Sequence, residues 1–307
     1  MKPVLKYAFA AVVLLLSFAA PVAAGPLEDA IAADDRGDYA TALLLLRELA
    51  DLGNARAQFK LGGMYDDGRG VAQDDAEALK WYRLAADQGY GNAQYNLALM
   101  YGKGQGVPQN YLEAARWFGK AAEQGDADAQ YNLGVLYFAG QGVARNDVEA
   151  AKWFRKAAEQ GEAVAQYNLG VMHDDGRGVA QNYAEALKWY LKAAEQGYAL
   201  AQNNVGLVYV NGKAVPQDFA EAVKWFRKAA EQGDAEAQYN LGTMYAQGQG
   251  VQRDYIRAYT WFNLAAMAGS QRAVNSRDIA AQNMTPAEIA EAQKVARESK
   301  TNKQLPQ

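Results

Sequence analysis

Two pairs of neighbouring carboxylates are the residues of this chain best suited to chemistry. Asp66 and Asp67 stand directly before Gly-Arg-Gly, and Asp174 and Asp175 stand before the same three residues. Paired carboxylates can transfer protons or hold a divalent cation. Aspartate is also common in turns, and matching positions elsewhere carry unrelated residues: Gly102, Lys103, Phe138, Ala139, Ala246 and Gln247. The sequence therefore favours a structural role in turns for both pairs.

A single histidine and a lack of cysteine limit the other kinds of chemistry. His173 stands where related segments carry tyrosine, so we interpret it as a substituted core aromatic residue. A Cys/His nucleophile pair and a typical structural zinc site need residues that the chain lacks, and no motif supports a Ser-His-Asp triad. The Gly-x-Gly segments follow predicted helices rather than strands, which does not fit a nucleotide loop. The sequence predicts no catalytic residue, no cofactor and no metal site.

These residues belong to an array of one repeated unit. The six tryptophans follow one another at intervals of 36 residues: Trp81, Trp117, Trp153, Trp189, Trp225 and Trp261. Glycines close successive units at the same interval: Gly53, Gly89, Gly125, Gly161, Gly197, Gly233 and Gly269. Six units therefore span residues 54–269. A period of roughly 20–50 residues is typical of a solenoid, in which neighbouring units stack to bury a shared core.

The sequence pattern of each unit predicts an antiparallel pair of helices. In the second unit, Ala93, Leu97 and Tyr101 lie on one face of a first helix predicted over residues 92–101. A Gly-Gln-Gly-Val-Pro turn breaks this pattern. Asn110 can then cap a second helix that carries a Trp-Phe pair and an Ala-Ala pair and stops at Gly125. The predicted fold is an all-α solenoid of antiparallel helix pairs with a 36-residue repeat, in which the tryptophans form the core.

Four segments are predicted to flank the array: a signal peptide (1–24), N-terminal capping helices (25–53), C-terminal capping helices (270–299) and a disordered tail (300–307). Lys2, Lys6, a short apolar run and a small-residue site before Gly25 indicate cleavage after Ala24. A retained N-terminal membrane anchor is the alternative. We therefore expect a periplasmic or secreted protein without stable membrane insertion after cleavage.

The charge balance argues against nucleic acid as a partner. Removal of Lys2 and Lys6 with the signal peptide leaves 29 basic against 35 acidic residues. Nucleic-acid-binding surfaces depend on clustered lysine and arginine that neutralise phosphates. A mildly acidic chain does not provide such a surface.

The repeated frame resembles the SEL-like repeat (SLR) family, which is related to the tetratricopeptide repeat. Residues 127–137 (Ala-x-Ala-Gln-Tyr-Asn-Leu-Gly), 140–143 (Gly-x-Gly-Val) and 149–161 (Glu-Ala-x-x-Trp-Phe to Gly) show the frame in one unit. The resemblance implies a right-handed superhelix whose first helices line a concave groove, and a role as a protein-binding scaffold or adaptor. Exported bacterial members have a similar layout and act in the envelope or in host contact.

The same resemblance supplies an alternative function. Some cysteine-rich relatives were proposed to bind or hydrolyse β-lactams, and this implies a binder or hydrolase of cell-wall or β-lactam-like substrates. Those relatives have disulfide-linked helix pairs, which this chain cannot form because it has no cysteine.

Two polar rows on the first helices are the candidate partner-binding residues. The tyrosine row, which Asn203 interrupts, and the asparagine row consist of Tyr95, Tyr131, Tyr167, Tyr239 and Asn96, Asn132, Asn168, Asn204, Asn240. A ladder of side-chain amides can hold the backbone of an extended peptide. Val135 and Phe138 add a local apolar patch. The alternative is packing and hydrogen bonding between neighbouring first helices. The expected partner is an envelope or secreted protein or peptide, and weak end-to-end self-association is a further option.

Overall fold

A computed structural model describes residues 25–302, with side chains through residue 298. The predicted signal peptide and residues 303–307 lie outside this part. The described residues form sixteen α-helices and no strand: α1 Pro26–Asp35, α2 Tyr39–Asp51, α3 Ala55–Asp67, α4 Asp75–Asp87, α5 Gly91–Lys103, α6 Tyr111–Glu123, α7 Ala127–Ala139, α8 Asp147–Glu159, α9 Ala163–Asp175, α10 Tyr183–Glu195, α11 Ala199–Asn211, α12 Phe219–Glu231, α13 Ala235–Gln247, α14 Tyr255–Met267, α15 Gln271–Ala281 and α16 Pro286–Asn302. The predicted all-α class is confirmed.

Local signals set the ends of each helix pair. The first helix of the second repeat, α5, ends at Gly104, whose φ of 73° only glycine adopts without strain. Asn110 caps α6, because its side-chain oxygen accepts hydrogen bonds from the backbone N–H groups of Leu112 and Glu113. Gly125, with φ of 98°, follows the end of α6 and turns the chain into α7. The same signals recur in the other repeats, so α3 to α14 pack consecutively as helix pairs.

The core runs along the whole array because each second helix contacts residues on both sides. Trp189 on α10 packs backward into the cluster that α8 and α9 form. Its neighbour Tyr190 packs forward with Ala193, Ala194 and residues of α11. The tryptophans are at most 9% exposed, which confirms that they are core residues. Neighbouring repeats therefore share one continuous core, as stacking in a solenoid requires.

Buried glutamines connect consecutive repeats through a second set of contacts. Gln166, only 4% exposed, donates from Nε2 to the backbone oxygen of Ala158 at 3.1 Å. Its Oε1 accepts a hydrogen bond from Nε2 of Gln196 at 2.9 Å. The same two bonds recur at the other paired glutamines: Gln58 with Gln88, Gln94 with Gln124, Gln130 with Gln160, and Gln202 with Gln232. Buried amides are stable only when bonded, so this glutamine ladder fixes the register between repeats.

The ladder ends at Gln238, and this end predicts a stabilising substitution. Oε1 of Gln238 is buried without a hydrogen-bond partner, because Ala268 occupies the position of the donor glutamine. We expect Ala268→Gln to raise the free energy of unfolding by about 1 kcal/mol, since it satisfies a buried acceptor. Urea denaturation followed by circular dichroism measures the change. In a Gln238→Ala background the same substitution should have no effect, and an equal gain in both backgrounds would disprove this explanation.

The two ends of the array carry further helices. Helices α1 and α2 precede the first repeat, and α15 and α16 follow the last. A capping box opens α16, since the backbone N–H of Thr285 donates to Glu288 at 2.7 Å and that of Glu288 donates to the Thr285 hydroxyl at 3.3 Å. Helix α16 ends at Asn302, so residues 300–302 of the predicted disordered tail are helical. The physical reason is that no glycine or proline interrupts 287–302. Between residues 25 and 302, no helix has both the length and the apolar character that a membrane span needs.

Candidate partner-binding face

The tyrosine row packs against the second helices. The Tyr131 ring lies 5.8 Å from the ring of Phe154, centroid to centroid. The other members make the same contact within their own repeats: Tyr95 with Phe118 at 5.7 Å, Tyr167 with Tyr190 at 5.9 Å and Tyr239 with Phe262 at 5.6 Å. All four rings are half-buried. Each tyrosine is therefore held in place by the core and keeps part of its surface in solvent.

The asparagine row bonds to the tyrosine row of the preceding repeat. Burial raises the pKa of the Tyr131 hydroxyl, and a hydrogen bond with Asn168 partly opposes this shift. Equivalent bonds join Tyr95 to Asn132 and Tyr167 to Asn204. Asn132 and Asn168 also donate to backbone oxygens four residues earlier in their own helices, at 2.8 and 2.9 Å. A Tyr–Asn ladder of side-chain contacts thus links successive first helices, which gives both rows a structural role.

The fifth repeat keeps this ladder with different residues. Asn203 replaces the tyrosine, and its Oδ1 accepts a hydrogen bond from Nδ2 of Asn240 at 2.9 Å. At the far end, Tyr239 bonds to Ser276 of α15. At the N-terminal end of the array, the residue at the tyrosine position is Phe59, which has no hydroxyl. Asn96 bonds to Tyr82 instead. The substitution at Asn203 therefore preserves the contact between neighbouring first helices.

The apolar patch of the third repeat is largely covered. The ring of Phe138 lies 6.5 Å from that of Phe154, and the guanidinium of Arg177 stacks on it at 4.3 Å. Val135 is half-buried against the same cluster. The Phe154 contact is packing within the third repeat and the Arg177 contact is packing with the fourth, so both cover part of Phe138.

An aliphatic row completes the surface, and sequence reasoning picked out only one of its members. It consists of half-buried residues three positions after the asparagines: Leu99, Val135, Val171 and Leu207. The signal was available, because these residues share the 36-residue period. The tyrosine, asparagine and aliphatic rows together form one surface of the first helices, which we call the first-helix face.

The paired carboxylates lie in helices rather than in turns, so the predicted location is wrong. Asp66 and Asp67 end α3, and Asp174 and Asp175 end α9, because the glycine that stops the helix comes after them. The hydroxyl of Tyr82 donates to Oδ2 of Asp66 at 3.2 Å.

The first aspartate of each pair occurs only in repeats whose second helix carries a tyrosine after the core tryptophan. Tyr190 makes a hydrogen bond with Asp174, as Tyr82 does with Asp66, and burial raises the pKa of both carboxyl groups. The other four repeats carry phenylalanine in place of these tyrosines, and there the aspartate is replaced by Gly102, Phe138, Val210 or Ala246. The first aspartate of each pair is therefore a hydrogen-bond partner for a core tyrosine, which gives the pairs a structural role.

His173 occupies a tyrosine site of the core, as predicted. It is 8% exposed, and its Nε2 lies 3.3 Å from the guanidinium of Arg155. Arginines eighteen residues earlier contact the tyrosine hydroxyls of other repeats in the same way, for example Arg47 with Tyr65 and Arg227 with Tyr245. The histidine therefore takes the packing position of a tyrosine.

Stacked helix pairs that share one core define the class of the protein as an α-solenoid. The Sel1 repeat profile matches six consecutive segments: residues 55–90, 91–126, 127–162, 163–198, 199–234 and 235–270. The chain belongs to the Sel1 repeat family.

A solved structure agrees with this assignment. A Sel1 repeat protein from Oxalobacter formigenes is 33% identical, with 81% of this chain and 99% of that protein covered and a TM-score of 0.68. The protective antigen c5321 of uropathogenic Escherichia coli, which has an SLR fold, is 29% identical, with 85% and 79% covered and a TM-score of 0.48. No functionally curated protein matches the chain.

Proposed function

We propose that this protein is a non-catalytic scaffold of the bacterial envelope, which binds a partner protein or an extended peptide on its first-helix face. Sel1 repeat solenoids generally act as protein-binding scaffolds. The observation that carries the proposal is the alignment of three parallel rows, aromatic, amide and aliphatic, along successive first helices. We expect this face to be the concave side of the solenoid.

The rows suit a polypeptide ligand because they are fixed before binding. The contacts of the Tyr–Asn ladder and the packing of the tyrosine rings hold the side chains of these two rows in one arrangement. This reduces the entropy lost when a partner binds. A side-chain amide has two donors and an oxygen with two acceptor sites, and the two bonds described for Asn132 use only part of this capacity. The aliphatic row adds apolar contact area between the amides. Such a face can bind the backbone and apolar side chains of an extended segment.

The envelope location rests on the N-terminal sequence. Pro26 begins α1 only two residues after the expected cleavage site at Ala24. We expect protein recovered from the periplasm or the medium to begin at Gly25, which N-terminal sequencing measures. An intact N-terminus in the membrane fraction would instead establish the retained anchor.

Charge placed on the first-helix face tests the proposed binding site. The double variant Leu99→Asp/Val135→Asp introduces two carboxylates into the half-buried aliphatic row. Its control, Leu112→Asp/Val148→Asp, makes the same changes on second helices, where these residues are 56% and 63% exposed. Tagged protein is crosslinked in cells, and the amount of each crosslinked partner is measured for variants that keep the circular dichroism of the wild type.

We expect the amount of specific partner crosslinked to the first-helix variant to fall at least about tenfold. The reason is that a fully desolvated carboxylate in an interface costs more than about 1.4 kcal/mol. The control should retain the partner. Loss in the control with retention in the first-helix variant would place the binding site on the second helices and refute the proposal.

A further inference from the structure

A basic pocket lies at the junction of the fifth and sixth repeats, and its full set of residues does not recur elsewhere in the array. It lies where the end of α13 and the 251–254 turn meet the start of α14, and Arg227 of α12 closes one side. Its volume is about 310 Å³, and Arg253 and Arg257 also line it. One carboxylate, Asp254, lines it as well, so three guanidinium groups face one negative charge.

The pocket arises from substitutions at repeat positions. Arg257 occupies a position at which the other five repeats all carry glutamate: Glu77, Glu113, Glu149, Glu185 and Glu221. Arg253 replaces a glutamine in four repeats and has a counterpart only in Arg145. The reversal at Arg257 changes the local charge by two units, and no core contact requires it, since its side chain is 48% exposed.

Tyr245 contacts two of the three guanidinium groups. Its hydroxyl accepts a hydrogen bond from Nη2 of Arg227 at 2.7 Å, and its ring lies 5.6 Å from the guanidinium carbon of Arg257. Tyr245 is itself only 2% exposed, so its own position is set by the core. Arg227 is therefore positioned before a ligand arrives, which favours binding, and the Tyr245 ring lies within cation–π range of Arg257.

The acidic residue of the pocket does not neutralise it. Asp254 caps α14 by accepting a hydrogen bond from the backbone N–H of Arg257 at 2.9 Å, and its Oδ2 is 3.6 Å from Nε of the same residue. Arg253 makes no hydrogen bond or ion pair with residues 25–298 and is exposed. The pocket keeps an excess of two positive charges, and the planar fork of arginine donors matches the oxygens of carboxylates and phosphates.

We propose that this pocket, formed by Arg227, Arg253, Arg257 and Tyr245, is a binding site for an oxyanion group, either a phosphate or a carboxylate. None of its lining residues belongs to the three rows of the first-helix face. The proposal is therefore independent of the scaffold function, and either can fail alone.

Inorganic phosphate and succinate serve as probes of the two ligand types. The melting temperature of the mature protein is measured against increasing concentrations of each, with sodium chloride at the same ionic strength as the reference. We expect a saturating rise with at least one probe, because a ligand that binds only the folded state stabilises it. A larger response to phosphate indicates a phosphate-bearing ligand, and a larger response to succinate indicates a carboxylate.

Variants that restore the residues of other repeats make the test specific. Arg257→Glu and Arg253→Gln introduce residues that this array already accommodates at the matching positions. Each should reduce the affinity for the responding probe by at least about tenfold, since each removes charge-assisted hydrogen bonds, which are roughly twice as strong as neutral ones. Arg145→Gln, the same change in the third repeat, should leave the response unchanged. An unaltered response in Arg257→Glu, or no response of the wild type to either probe, would overturn the proposal.

Discussion

Trp189→Ala is expected to lower the free energy of unfolding by about 3–5 kcal/mol, which is typical of a large aromatic residue removed from a core. Trp189 is 4% exposed and joins α10 to the cluster of α8 and α9. Its loss leaves a cavity between two repeats, so it weakens their interface and not one helix alone. Urea denaturation followed by far-ultraviolet circular dichroism measures the loss.

Trp189→Phe is the matched control. It keeps an aromatic ring in the same place and removes an indole N–H that is buried without a hydrogen-bond partner. We expect a loss of only about 1–2 kcal/mol, because the remaining cavity is small and a desolvated donor is removed. A loss below about 1 kcal/mol for the alanine variant would contradict a core role for the tryptophan row. Since each repeat contacts only its neighbours, the unfolding transition of the alanine variant should also broaden.

Gly142→Ala is expected to destabilise the array by about 3 kcal/mol or more. Gly142 has φ of 69°, and a Cβ atom there would lie 2.2 Å from the backbone carbon and oxygen of Tyr111 in the preceding repeat. The left-handed backbone costs about 1–2 kcal/mol for a non-glycine residue, and overpacking against a backbone adds about 1–3 kcal/mol. The turn of one repeat would have to move away from the helix start of the repeat before it. Thermal and urea unfolding measure the effect.

Gly119→Ala provides the control, because it makes the same chemical change on α6 where a new Cβ atom would meet nothing within 4 Å. Alanine is favoured over glycine inside a helix by about 1 kcal/mol, so this variant should be slightly more stable than the wild type. The fifth repeat carries Ala214 at the position of Gly142, but there the whole turn differs, with Asn211-Gly212-Lys213 before it. Equal stability of the two variants would show that the close approach to Tyr111 does not determine how repeats stack.

The repeat period was enough to predict the fold, because helix stops, caps and core residues recur at fixed positions. The first helix of the second repeat extends from Gly91 to Lys103, slightly beyond the predicted 92–101, since Gly104 and not the last apolar residue sets its end. The end of α16 was missed for a similar reason, because polar residues alone do not stop a helix.

The contacts within the candidate site were less predictable. Whether Tyr131 bonds to Asn168 depends on how far one repeat is displaced against the next, which the period does not reveal. The sequence therefore identified both rows but left open whether they bond to each other or to a partner. The arginine pocket was missed although its signal was present, because Arg257 is informative only when compared with the glutamates at the same position in the other repeats.

Site-specific photocrosslinking in cells tests the scaffold account most directly. A photoreactive amino acid is placed in turn at Leu99, Val135, Val171 and Leu207, and at Leu112 and Val148 on the second helices. We expect one partner protein to be captured from consecutive positions of the aliphatic row and from neither second-helix position. Capture from Leu112 and Val148, with none from the aliphatic row, would contradict the claim that the first helices form the binding face.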